Sequence, residues 1–167
     1  MSGCGFTPRM DLAGIQRLLT AAEVLWQRRG LRYYSISTAV TGQLGFGVVV
    51  AVHEDRTVRG QIITKRLRLP GQPTVAPVTR EASASFTRRY AVPGLFAQVQ
   101  QLLDQFRLLT PPRRSPPALP GSDGLLPCGT LEVSFDPADG HLRYLDYDGP
   151  AIDDEFLLTT SALTPEP

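Results

Sequence analysis

The sequence predicts one α+β domain in which two amphipathic helices, each followed by a three-stranded antiparallel meander, pack on an antiparallel sheet in an αβββ-αβββ order. Three observations carry that expectation. Apolar residues recur at helical steps in two stretches, within 8–29 and 93–106. Period-two alternation follows each stretch, and turn residues punctuate the alternating runs at short intervals. A chain of 167 residues is long enough to bury a core of its own without a disulfide or a metal, so one domain spanning 1–167 is expected.

The first helix is expected from about Pro8 to Arg29. Leu12, Ile15, Leu19, Ala22 and Trp26 fall at steps of three and four, with Leu18 and Leu25 beside them. Thr7-Pro8 offers a capping hydroxyl and a first-turn proline, and Arg28-Arg29-Gly30 offers cations at the negative end and a left-handed stop. From Leu31 the period becomes two. Tyr34, Ile36, Thr38 and Val40 share one strand face, as do Phe46, Val48, Val50 and Val52. A third strand runs from Thr57 to Leu69 with Ile63, Leu67 and Leu69 in phase. Its connections fall at 41–45 and 53–56.

Residues 70–85 hold three prolines and read as a loop or irregular edge. The second helix opens near Pro93, with Leu95, Phe96, Val99, Leu102, Leu103 and Phe106 on one side and Gln98, Gln101, Asp104 and Gln105 on the other. Residues 110–129 are an exposed Pro-rich connector. Leu131, Val133 and Phe135 then alternate, Asp136-Pro137-Ala138-Asp139-Gly140 turns, and Leu142 and Tyr144 begin the return. Asp148-Gly149-Pro150 turns again, and Phe156, Leu158, Thr160 and Ala162 form the last strand.

Charge is unevenly spread. Residues 1–114 carry 16 basic and 6 acidic side chains, a net of +10, whereas 115–167 carry 1 and 10, a net of −9. Opposite nets of this size favour docking of the two parts on each other. The arginines form only short pairs, Arg28-Arg29 and Arg88-Arg89 among them, which does not make the tract a nucleic-acid partner needs. No apolar run approaches the ~20 residues of a membrane-spanning helix.

Cys4 and Cys128 lack the spacing of a metal pair. Met1-Ser2-Gly3-Cys4-Gly5 is similar to the end of a bacterial lipoprotein signal, with Met at the Leu position, as when a Leu codon is taken for a start and the signal lies upstream. Three readings stay open: a lipid anchor at Cys4, a Cys4–Cys128 disulfide in an oxidising compartment, and free thiols in the cytosol. Cell envelope and cytoplasm are about evenly weighted.

The densest functional cluster is Asp146, Asp148, Asp153, Asp154 and Glu155. It offers a ligand or cation surface, yet its spacing misses the calcium-loop pattern, and carboxylates in a Gly-Pro turn lack the burial that acid–base work requires. His53 and His141 fall at hairpin ends with no partner evident in the sequence. No nucleophile elbow is present, and Gly42-Gln43-Leu44-Gly45-Phe46-Gly47 leads into a strand, not a phosphate-binding helix N-terminus. The sequence therefore points to no catalytic residue, metal site or cofactor.

Trp26 followed by Tyr33-Tyr34, the run 47–52, Tyr90-Ala91-Val92-Pro93-Gly94-Leu95-Phe96, the strand 131–136, and Tyr144 to Glu155 with Gly-Pro near Asp-Asp-Glu occur here in order. In that order the chain resembles a family of uncharacterised small bacterial proteins, many carrying lipoprotein signals. The resemblance spans nearly everything outside the two Pro-rich loops and implies a fold and an envelope location, but no reaction. The family's paired cysteines after the first-strand tyrosine are replaced by Ser35, Ser37 and Thr38. Tandem helix-plus-strands units are also similar to periplasmic inhibitor and outer-membrane assembly modules, which bind proteins on a sheet. The expected function is a non-enzymatic binding module of the envelope that presents the outer face of its sheet to a protein or another envelope ligand. The alternative is a small cytosolic protein with a ligand or catalytic pocket between helices and sheet, using Arg32, Tyr33 or the acidic residues.

Overall fold

The computed structural model describes residues 11–42, 45–54, 56–64, 78–109, 130–148 and 156–167. Cys4, Cys128, Asp153, Asp154, Glu155, Leu67, Leu69 and the connector 110–129 lie outside the described residues.

Helix α1 spans Leu12–Arg29. The observed cap is Asp11, whose carboxylate accepts the Gly14 N–H at 2.8 Å, while the expected Thr7-Pro8 lies outside the described residues. The expected stop is present: Gly30 adopts φ 60° and returns its N–H to the Trp26 carbonyl. Strands β1 (Tyr34–Thr41), β2 (Phe46–His53) and β3 (Arg56–Thr64) follow, then β4 (Val78–Glu81). A short helix α2 (Ala84–Arg88) leads into α3 (Val92–Leu109). The last part holds β5 (Thr130–Phe135), β6 (Leu142–Asp148), β7 (Phe156–Thr160) and a two-residue β8 (Thr164–Pro165).

The α+β class and the antiparallel pairing are as the sequence predicts, but the αβββ-αβββ order is not. The first meander has a fourth strand, β4, inside the stretch 70–85 that the sequence marks as a loop or irregular edge. It is an edge strand with every residue exposed, so no apolar alternation marks it. An additional helix, α2, precedes the second long one, and a short strand ends the second run. All the strands join a single sheet in the order β4-β3-β2-β1-β7-β6-β5, with β8 also beside β1 and every pairing antiparallel.

In β3 the core position is Ile62, opposite Val48, while Ile63 opposes Gly47 on the other face. Two adjacent isoleucines satisfy period two in either phase, and only the partner strand decides between them.

One face of the sheet carries the core. Tyr34, Ile36, Val48, Val50, Leu131, Leu142, Leu145 and Leu158 meet the stripes of α1 (Leu19, Ala22) and α3 (Leu95, Phe96, Val99, Leu103, Phe106). Each fully buried side chain of this kind contributes roughly 1.5–3 kcal/mol relative to exposure. Aromatic pairs fill the larger gaps: Trp26 stands edge-on to Tyr34 with centroids 5.1 Å apart, and Tyr147 touches both Phe106 and Phe156.

Both helix junctions depend on close approach. Helix α2 presses Thr87 onto Gly60 of β3, where a Cβ would come within 1.7 Å of the Thr87 methyl. The buried Tyr34 hydroxyl accepts the N–H of Val92, satisfying one of the free donors at the start of α3. Helices α1 and α3 are further tied by the reciprocal amide pair Gln16–Gln100 at 2.8 and 3.1 Å, with Arg107 donating to Gln16 at 2.8 Å.

Candidate functional site

With the helices gathered on one face of the sheet, the strand residues between the core positions look the other way. On β1 these are Ser35, Ser37, Ala39 and Thr41; on β2, Gly47, Val49 and Ala51; on β3, Gln61 and Ile63. On β5, β6 and β7 they are Glu132, Ser134, Tyr144, Asp146, Leu157 and Thr159. None of them is fully buried, and no described element covers this face. Its centre is low because the side chains are small: Ala39 lies between Gly47 and Thr159.

Of the acidic residues singled out in the sequence, the structure places Asp146 and Asp148 on this face. Both sit within β6 and not in the expected turn, since the return strand begun at Leu142 runs on as far as Asp148, with Leu145 and Tyr147 on the core face and Tyr144, Asp146 and Asp148 on the other. Asp146 stands opposite Glu132, and Asp148 opposite Thr130. The Tyr144 hydroxyl donates to Asp146 Oδ2 at 3.1 Å. Burial, that hydrogen bond, and the charges of Asp146 and Glu132 all push the Tyr144 phenol above its ordinary value, so it stays a donor.

Both histidines have partners that the sequence did not reveal. His53 pairs with Glu166 at the sheet's rim, where Tyr33 lies against the imidazole and donates to Glu54 at 2.9 Å. Glu166 also donates its N–H to the Tyr33 carbonyl, so this cluster fastens β8 to β1. His141 is 1% exposed, and its Nδ1 lies 2.5 Å from Asp139.

Asp136, Asp139 and His141 bring donor atoms within 4.8 Å of one another, which is the reach of a metal site. Their hydrogen bonds describe a locked turn instead. Asp139 accepts both the N–H and the ring of His141, Asp136 accepts the Ala138 N–H at 2.8 Å, and Arg143 approaches Asp136 at 3.8 Å. Gly140, at φ 84°, lets this turn seat against the Ala22 carbonyl of α1. Among the described residues, the buried His141 Nε2 and Thr38 Oγ1 have no hydrogen-bond partner.

Among the described residues, a wide-open groove lies on α1, lined by Arg17, Val24 and Arg28 among others. Arg32 and Tyr33 do not line it. No described helix is long and apolar enough to cross a membrane. Neither a family model nor a curated protein matches the chain.

Proposed function

We propose that the chain is a non-enzymatic interaction module of the bacterial envelope and that it presents the uncovered face of its sheet to a partner protein. One observation supports this most directly. A sheet of this width has its described helices on a single face, and the opposite face, which no described element covers, offers a broad surface of Ser, Thr, Ala and Gly with Val49, Ile63 and Leu157 among them, flanked by charge. Side chains on the helix side are occupied by packing. The polar groups that sit closest together, around His141 and His53, hold a turn and the β8 strand in place. The envelope part of the reading rests on Met1-Ser2-Gly3-Cys4-Gly5 and on the family resemblance.

Immobilised full-length chain is compared with Ala39→Arg, which puts a long cation at the centre of the open face, in capture from envelope extract. A species retained by the parent and lost from the folded variant supports the reading. Equal capture by both, or turnover of a small substrate by the purified chain, overturns it.

A further inference from the structure

The open face is electrically lopsided at its β5 end. Glu132 and Asp146 oppose each other across the β5–β6 ladder, and Asp148 follows two residues along on the same face. Like charges placed directly opposite work against the free sheet. Among the described residues, the ion pairs are made by Asp11, Asp104, Asp136, Asp139 and Glu166, and none reaches Glu132, Asp146 or Asp148.

The edge beside these carboxylates is also unpaired among the described strands. β5 ends the strand order and pairs only with β6, so one row of its backbone donors and acceptors meets no described strand. The opposite edge, β4, has four residues, two of them the charged Arg80 and Glu81. β5 has six, with Glu132 its one charge and no Pro or Lys. Apart from that charge and a register shift between Ser134 and Phe135 at its far end, it carries none of the devices that usually guard an edge against strand addition.

We infer that the β5 end of the open face takes a cationic extended segment of a partner protein, laid along β5 as an added strand with Lys or Arg side chains against Glu132, Asp146 and Asp148. This rests on the interaction-face reading above and names the chemistry of its occupant. The spacing favours such a segment over a bound cation. An added strand shows every second side chain to one face, and on that face Asp146 and Asp148 recur at the same period, with Glu132 on β5 beside Asp146. A calcium ion instead wants several oxygens converging from a flexible loop, whereas these stand in a row on paired strands.

The test is a titration of the 15N-labelled full chain with a short peptide alternating Lys and Thr, and with its Glu-for-Lys counterpart. The Lys peptide is expected to shift amide signals of 130–135 and 142–148 and to bind more weakly as salt rises. The variant E132Q/D146N/D148N, matched to the parent in circular dichroism and melting, is expected to bind it about tenfold more weakly or worse. Equal binding of the Glu peptide, shifts mapping to the α1 groove, or the same shifts from calcium chloride alone would overturn the inference. If neither peptide binds while Ala39→Arg still abolishes capture, the cationic occupant is wrong and the interaction face stands.

Discussion

Gly60 is the position where a single methyl group should be felt most sharply. In Gly60→Ala the new Cβ meets the Thr87 methyl at 1.7 Å and the Thr87 Cβ and Oγ1 at 2.8 Å each, against ordinary carbon contacts of about 3.5–4.0 Å. Thr87 cannot rotate away cheaply. It is buried, its hydroxyl donates to the Ser83 carbonyl, and its own carbonyl accepts the N–H groups of Tyr90 and Ala91. Relief therefore requires α2 to lift from β3, loosening the contacts among Phe46, Phe86 and Tyr90. Overpacking of this kind costs about 1–3 kcal/mol. For a domain of this size each kcal/mol lowers the midpoint by roughly 2–4 °C. Urea and thermal melts of Gly60→Ala, Thr87→Ala and the double variant measure it. The double variant should recover about 1 kcal/mol relative to the sum of the singles. A Gly60→Ala protein within about 0.5 kcal/mol of the parent, or strict additivity in the cycle, would refute the reasoning.

Other expectations follow from the polar contacts. Tyr34→Phe leaves the buried Val92 N–H without its acceptor and should lower stability by about 1–3 kcal/mol, read from urea melts. Asp139→Ala removes the acceptor of two His141 donors and should cost a similar ~1–3 kcal/mol, with near-ultraviolet changes small because the hairpin is otherwise retained. Burial, only partly offset by Arg89, holds the Tyr90 phenol above the ordinary 10.0. A raised folded value means its contribution is intact below pH 10 and is lost as pH climbs through the folded value, so stability should fall at alkaline pH and Tyr90→Phe should flatten that fall. Glu132→Gln removes one of two facing carboxylates and should raise the melting midpoint, by about 0.2–1 kcal/mol in stability.

The parts of this fold that could be read in the sequence are those whose burial repeats locally. The inward stripe of α3 is the set of residues its periodicity names, and β2 buries alternate residues of a continuous valine-rich run. What stayed hidden depends on partners far away in the chain, or on elements too short to have a period. α2 is five residues long, and β4 is exposed throughout. The joining of β1 to β7 leaves no mark in either strand. The acidic residues were found by density, and density misjudged their setting: the alternation of Leu145 and Tyr147 with Asp146 and Asp148 was the signal that these belong to a strand. Asp139 two residues before His141 is a local hydrogen-bonding pattern open to sequence reasoning. Glu166 reaches His53 from 113 positions away and was not.

β1 has one neighbour made early and another made late. β2 follows it through a short connection, whereas its contact with β7 joins Thr41 to Leu157, 116 positions on. While the chain emerges from a ribosome, the first half would wait with the flank of β1 bare until residues 156–160 arrive. Assembly should accordingly be slow, as expected when loop closure precedes its reward. A chain lacking 156–167 would not merely fray at its end: it would part down the middle into two half-sheets, each with a fresh edge exposed to its neighbours in solution.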